Sequence, residues 1–412
     1  EPVVAKPGWY REVTREQWRA LIAAHLGWTL DAMDVMLYAF ALTTIQKEFA
    51  LTSGTAGALA SATLIASAVG GILFGVIADR IGRARSLVLT ILIFSLCSAG
   101  TATSQNVWQL VVWRGLLGIG MGGEWSTGSV LVSETWPAEH RGKAIGIMQS
   151  GWALGYMLAA LLSALTLPRF GWRALFLVGI LPALVAVWIR RKVPEPPLWR
   201  RNTEQRLQKN TLFEIFRQPL TRTTILASVL TMMVLFAYWG LFTWLPGFLS
   251  TPLQRGGAGM SIVQTSGWIF PVQIGALLGY VSFGFISDRI GRKPTFIAYL
   301  ICAAVLVPIY GQLARSETRL LILGPLVGFF GSGYFSLFGA MLGELFPTRL
   351  RATGQGTTYN LGRAFSALAP YVIGRLGDFY GLGSALGVTS VFFLLGGVMI
   401  LFLPETRGKK LD

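Results

Sequence analysis

Charge is scarce in this chain. Asp, Glu, Lys and Arg together make up 13% of 412 residues, against 53% apolar residues. A water-soluble chain of this length would form two or three domains with about a quarter of its residues charged. Cysteine is scarcer still, with only Cys97 and Cys302, each inside an apolar run. That excludes a disulfide scaffold and fits small buried hydrophobes. The two histidines, His25 and His140, have no metal-ligand spacing, so no metal site is expected. No Gly-Lys-Ser/Thr phosphate loop occurs, so direct use of ATP is not expected. No nucleophile, base and orienting group fall into a recognisable set, which argues against an enzyme.

Long apolar runs are what the chain has. Twelve are expected to cross a bilayer as helices: 19–46, 55–78, 86–104, 108–134, 142–167, 173–190, 221–249, 265–287, 294–314, 320–345, 352–374 and 383–403. Residues 1–18 are polar and the first run is long enough to span, so no cleavable signal peptide is expected. The net charge of +16 invites a nucleic-acid reading, but its placement dismisses it. With the N-terminus inside, cytoplasmic segments hold 26 of the 35 Lys and Arg, external ones 7 and the membrane two. That bias fixes cytoplasmic N- and C-termini. Residues 190–222 alone carry nine basic residues, a linker suited to the anionic inner leaflet.

The chain also repeats itself. Gly75-Val-Ile-Ala-Asp79-Arg80-Ile81-Gly82-Arg83 returns about 210 residues later as Gly284-Phe-Ile-Ser-Asp288-Arg289-Ile290-Gly291-Arg292. Glu134-Thr-Trp-Pro137-Ala-Glu-His-Arg141 answers Glu344-Leu-Phe-Pro347-Thr-Arg-Leu-Arg351 at the same offset. Two landmarks sharing one offset mean a duplication, divided as 1–190, a basic linker 191–220, and 221–412. Two like halves around a central site is the geometry of a secondary transporter. In the repeated turn, glycine allows a tight bend and the carboxylate can meet a helix N-terminus or an arginine. Such a latch would hold one face together in one conformation and break in the other.

On these residues the chain resembles the major facilitator superfamily, whose hallmark is this loop after the second and eighth helices. Within it, Trp9-Tyr10-Arg11, Gln17-Trp18-Arg19-Ala20 and Leu30-Asp31-Ala32-Met33-Asp34 are similar to the sialate and lactate proton symporter group. So are Gly120-Met-Gly-Gly-Glu124-Trp125, Gly171-Trp172-Arg173-Ala174-Leu175-Phe176 and Tyr359-Asn360-Leu361-Gly362-Arg363. The resemblance implies an all-α membrane fold of two pseudo-symmetric six-helix bundles, alternating access, and proton-coupled uptake of an organic acid. It implies no cofactor beyond the proton as coupling ion, and a functional monomer. Bacterial sialic acid carriers of that group have two extra central helices, absent here, which favours a smaller carboxylate.

Five charges fall inside the apolar runs: Asp31 and Asp34 in the first, Arg114 and Glu124 in the fourth, and Arg363 in the eleventh. Left unpaired they would cost about 12–17 kcal/mol on insertion scales. They must pair, face water, or bind protons. Asp31 and Asp34 share one helix face, with Trp28 and Tyr38 near the same stripe. Two acids so close rarely both ionise, so one is expected to take a proton outside and release it inside. The alternative is an acid buttressing neighbouring backbone.

Arg114 has no counterpart in the second half, where the offset lands on Gly324. It precedes Gly118 by four residues, the spacing that proton-coupled members of the superfamily show. It is expected to pair with Asp31 or Asp34, either reversibly or as a static bridge. Glu124 could carry the proton or belong to the same network. Arg363, on the face of Tyr359, offers the bidentate donor that a carboxylate cargo needs. Trp28, Tyr38, Trp125, Gln149, Trp152, Tyr156, Tyr238, Gln273, Tyr334, Tyr359 and Asn360 are the expected cavity lining, around an acid with an apolar or aromatic body. The fifth run has Tyr156 where antiporters carry proline, which argues for uptake over drug export. An organic-cation carrier or exporter, and a non-transporting sensor on the same fold, remain the competing readings.

Overall fold

The computed structural model describes residues 13–196, 214–347 and 350–406. Within helices, the side chains of Asp79, Arg141, Asp288 and Arg351, four expected gating residues, lie outside the described residues. Most of the basic linker does too.

The described residues form fifteen α-helical segments and no strand. The N-terminal half contains α1 (Arg15–Glu48), α2 (Ser53–Ile81), α3 (Arg83–Thr101), α4 (Val107–Thr135), α5 (Ala138–Val178) and α6 (Pro182–Lys192). The C-terminal half contains α7 (Thr221–Ser250), α8 (Ile262–Ile290), α9 (Arg292–Gln312), α10 (Glu317–Ser332), α11 (Phe335–Glu344), α12 (Arg351–Ser366), α13 (Leu368–Tyr380), α14 (Leu382–Gly387) and α15 (Thr389–Leu401). Several passes are broken helices. A positive φ at Gly171 separates the fifth pass from the sixth, which α6 completes. The tenth, eleventh and twelfth passes are α10–α11, α12–α13 and α14–α15. That gives the twelve passes expected from the apolar runs. Eight stretches are long and apolar enough to cross a membrane on length and composition alone.

Local sequence explains the helix starts. Thr14 and Gln17 exchange side-chain and backbone hydrogen bonds in a capping box that opens α1, and Ser261 and Gln264 do the same for α8. Gly82 and Gly291 take φ of 111° and 108°, so α2 ends and α3 begins within one residue, as do α8 and α9. Only glycine adopts that backbone without strain.

Packing repeats with a shift of six passes. Inside the N-terminal half, α2 lies against α4, α1 against α5, and α3 against α6. Inside the C-terminal half, α8 lies against α10, α7 against α12, and α9 against α15. The halves meet where α2 packs on α12 and α13, α5 on α8, and α1 on α7. The outward faces are apolar: Ile72, Leu96, Leu184, Val281, Val305 and Leu395 are all exposed. So large an apolar surface is untenable in water and natural in lipid. The molecule is an integral membrane protein.

Candidate functional site

Two faces of the helix array need names. The latch face holds both Asp-Arg-Ile-Gly-Arg turns; the far face holds the loop between α1 and α2.

On the latch face, the Arg83 guanidinium grips Glu134 with two hydrogen bonds of 3.0 and 3.1 Å, and donates a third to the Ala78 carbonyl at 2.7 Å. Glu195 accepts from the backbone N–H of Arg83, Ala84 and Arg85 at 2.6, 3.1 and 3.0 Å. It therefore caps the positive end of α3. The second half repeats the arrangement. Arg292 meets Glu344 at 2.9 Å, and Glu405 accepts from the N–H of Arg292 and Lys293 at 3.1 and 3.0 Å. Each of these bridges stays within one half. Gly75 and Gly284 have open space beside them, and Arg80 and Arg289 are exposed. The capping glutamates were missed, although Val193-Pro194-Glu195 and Leu403-Pro404-Glu405 share the offset of the other landmarks.

The far face is shut by close backbone approach. A methyl group at Gly57 would collide with the Pro370 carbonyl oxygen. Asp378 accepts from the N–H of Ser53 and Gly54, both at 2.8 Å, so a carboxylate of α13 caps α2 across the halves. Trp244 donates to the Pro370 carbonyl at 2.8 Å, within the C-terminal half. Tyr156 reaches from α5 to the Phe242 carbonyl on α7 at 2.8 Å. That makes Tyr156 an inter-half tie.

Between the two faces lies a ring-lined cavity. Its walls are Trp28, Gln149, Trp152, Leu235, Tyr238, Trp239, Tyr280, Phe335, Tyr359 and Arg363, drawn from both halves. Trp152 donates its indole N–H to the Tyr238 hydroxyl and packs at 4.8 Å on Trp28 and 5.7 Å on Trp239. Trp125 and Tyr359 stack across the halves at 4.3 Å and 14°. The free space is about 40 Å³, room for roughly three waters. Tyr280 and Phe335 join the lining without having been singled out; a lone aromatic in an apolar run carries no signal of its own.

Arg363 is the charged member of that wall and is 2% exposed. Its guanidinium lies 5.1 Å from the Tyr359 ring centroid and makes no hydrogen bond or ion pair to a described residue. Gln149 also leaves its Oε1 unpartnered. Not every expected lining residue is here. Tyr334 donates to the Val234 carbonyl at 3.3 Å inside the C-terminal half, and Gln273 is buried on α8 with its Nε2 unpartnered. Asn360 turns to the Gly356 carbonyl at 3.0 Å and faces Gly71 on α2.

The acids gather in the N-terminal half. Asp34 accepts from Ser98 on α3, and Glu124 accepts from Thr90 on α3 at 2.9 Å while its Oε1 presses on Gly27 of α1. Asp31 is fully buried with neither oxygen hydrogen-bonded. Glu124, Arg363, Asp34 and Arg114 all act on it electrostatically. Arg114 forms no ion pair with Asp31 or Asp34 in this conformation, as a reversible pairing allows and a static bridge does not. It lies instead over the Tyr38 ring at 4.7 Å, and the Tyr38 hydroxyl is bonded to the Ala56 carbonyl at 2.8 Å. The partners Thr90 and Ser98 are single hydroxyls in apolar runs and were not foreseen.

The family model described as Major Facilitator Superfamily matches residues 25–272 and 257–412. The chain belongs to this superfamily. A Cupriavidus pinatubonensis protein named "probable 4-methylmuconolactone transporter" is 37% identical over 407 residues, covering 97% of this chain and 93% of its own. The cis,cis-muconate transport protein of Acinetobacter baylyi is 33% identical over 397 residues, covering 94% of each. The sialic acid transporter of Escherichia coli K12 is 31% identical over 387 residues, covering 93% of each. That last coverage leaves no room for two additional helices, so chain length does not argue against a sialate-type cargo. Among solved structures, a D-xylose–proton symporter superposes with a TM-score of 0.77 at 20% identity, over 96% of this chain and 99% of its own. Superfamily membership makes this a transport protein and not an enzyme.

Proposed function

We propose that the protein takes up a small organic anion together with a proton, by rocking residues 1–190 against 221–412 about the central cavity, with 191–220 as the link. The observation that carries this reading is Arg363: a buried guanidinium with no hydrogen-bond or ion-pair partner among the described residues, in a cavity whose rings come from both halves. Such a group needs an acceptor, and a carboxylate supplies two in the fork geometry that guanidinium matches. The ring walls suit a flat, conjugated or aromatic body. The names of the relatives, which include muconate, benzoate and sialic acid transporters, agree with an acidic cargo.

The proton would be carried on the buried set Asp31, Asp34 and Glu124, none of which forms an ion pair with a base among the described residues. Loading a proton there neutralises charge at membrane depth, which favours reorientation. The excess of Lys and Arg on the latch face makes that face cytoplasmic, with both termini inside. An organic cation would seek the same acids, but they do not line the cavity, and Arg363 would repel it.

Purified protein is tested by thermal shift against a panel of small carboxylic acids and quaternary amines. Acids should stabilise it, and Arg363→Ala should remove the shift without changing the elution volume. Stabilisation by amines alone, or unaltered acid binding and uptake in Arg363→Ala, would overturn the clamp.

A further inference from the structure

The scheme above leaves a second guanidinium without an anion. Arg114 is 1% exposed, and its Nε and Nη1 have no hydrogen-bond partner. Tyr38 and Phe176 offer it ring faces at 4.7 and 6.0 Å. Ring faces hold a cation but leave the in-plane N–H donors unused. Asp34 and Asp31 are its acidic electrostatic neighbours, yet Asp34 turns one oxygen to Ser98 and neither acid forms an ion pair with Arg114. An unpaired guanidinium at this depth costs roughly 2.5–3.5 kcal/mol on insertion scales.

Arg114 lines a cavity of its own, with Tyr38, Thr63, Trp239 and Thr243 among its walls. The space is about 20 Å³, enough for roughly one water. Trp239 belongs to this cavity and to the one at Arg363, so a single indole separates them. Depth orders the two. Arg114 follows the far-face end of α4 at Val107 by seven residues, about 10 Å along the axis. Arg363 follows the latch-face end of α12 at Arg351 by twelve residues, about 18 Å. A solute arriving from the far face meets Arg114 first, then Trp239, then Arg363.

We infer that Arg114 forms an outer anion site, occupied by the carboxylate of the cargo before Trp239 swings and Arg363 receives it. This deepens the proposed function and rests on the cargo being an anion. Thr243 provides the probe, because its side chain lines the outer cavity. The full chain, with Cys97→Ala and Cys302→Ala, carries Thr243→Cys and is treated from outside with anionic MTSES or cationic MTSET. Each rate is divided by that reagent's rate with a free thiol in water.

The outer site predicts about a tenfold preference for the anionic reagent. Arg114→Gln should abolish that preference and Arg114→Lys should keep it. With Arg363→Ala present, benzoate should still slow the modification, because the outer site is then the one occupied. Equal normalised rates, a preference that survives Arg114→Gln, no reaction with either reagent, or no protection by benzoate would each overturn the inference. Those outcomes leave the Arg363 clamp untouched, since its own test reads uptake and thermal shift.

Discussion

In the N-terminal half, Arg83 bridges to Glu134 while Glu195 caps α3. In the C-terminal half, Arg292 bridges to Glu344 while Glu405 caps α9. The interiors do not correspond in this way. The first half buries Asp31, Asp34, Glu124 and Arg114, and the second buries Arg363 among aromatic rings. Duplication has kept what both halves need, a tight turn and a capped helix at the pivot. Divergence has divided the buried charge, with three acids and Arg114 on one side and Arg363 on the other. On the proposed function neither half alone holds both parts, so coupling would pass through the interface.

Breaking that division should have graded effects. Arg363→Ala removes the clamp from the C-terminal half, and uptake should fall about a hundredfold or more, the range for truncating one partner of a buried charge pair. Asp34→Asn removes one proton site from the other half. Accumulation driven by an acid-outside gradient should drop about a hundredfold, the low end of the range ascribed to one positioned proton-transfer group, while exchange of cargo down its gradient persists. Undiminished acid-driven accumulation would remove Asp34 from the proton path.

Gly57→Val probes the seam between the halves. Overpacking at the Pro370 carbonyl should disfavour the closed far face by about 1–3 kcal/mol. External labelling at Thr243→Cys should then quicken; unchanged labelling would mean the seam yields elsewhere. The smallest effects test the symmetry itself. Glu195→Gln and Glu405→Gln each weaken a helix-capping carboxylate and should each cost about 1 kcal/mol of thermal stability. Markedly unequal losses would show that the two latches are alike in shape alone.

Much of the architecture was legible because lipid imposes simple rules. Apolar runs gave twelve passes, and two repeated landmarks gave the shift of six that the packing obeys. Arg363 was readable for the same reason: a guanidinium at membrane depth has few uses. What could not be read was direction. Gln273 sits as centrally in its helix as Tyr238 but is not part of the central cavity's lining, and Tyr334 falls at the break between α10 and α11, where it bonds the Val234 carbonyl instead; no neighbouring residue encodes either placement. Arg114's immediate contacts were not readable either: nearby acids imply a bridge, whereas in this conformation Ser98 meets Asp34 and the Tyr38 ring faces the arginine. Glu195 and Glu405 were readable in principle, because a Pro-Glu pair recurs at the shared offset.

The crowding of the central cavity has a consequence for energy conservation. Protons move through proteins along chains of water, and the small free space of this cavity leaves little room for such a chain at the centre. Under the proposed cycle, a carrier that recloses without cargo would act as an insulator, and its idle cycles would not short-circuit the gradient.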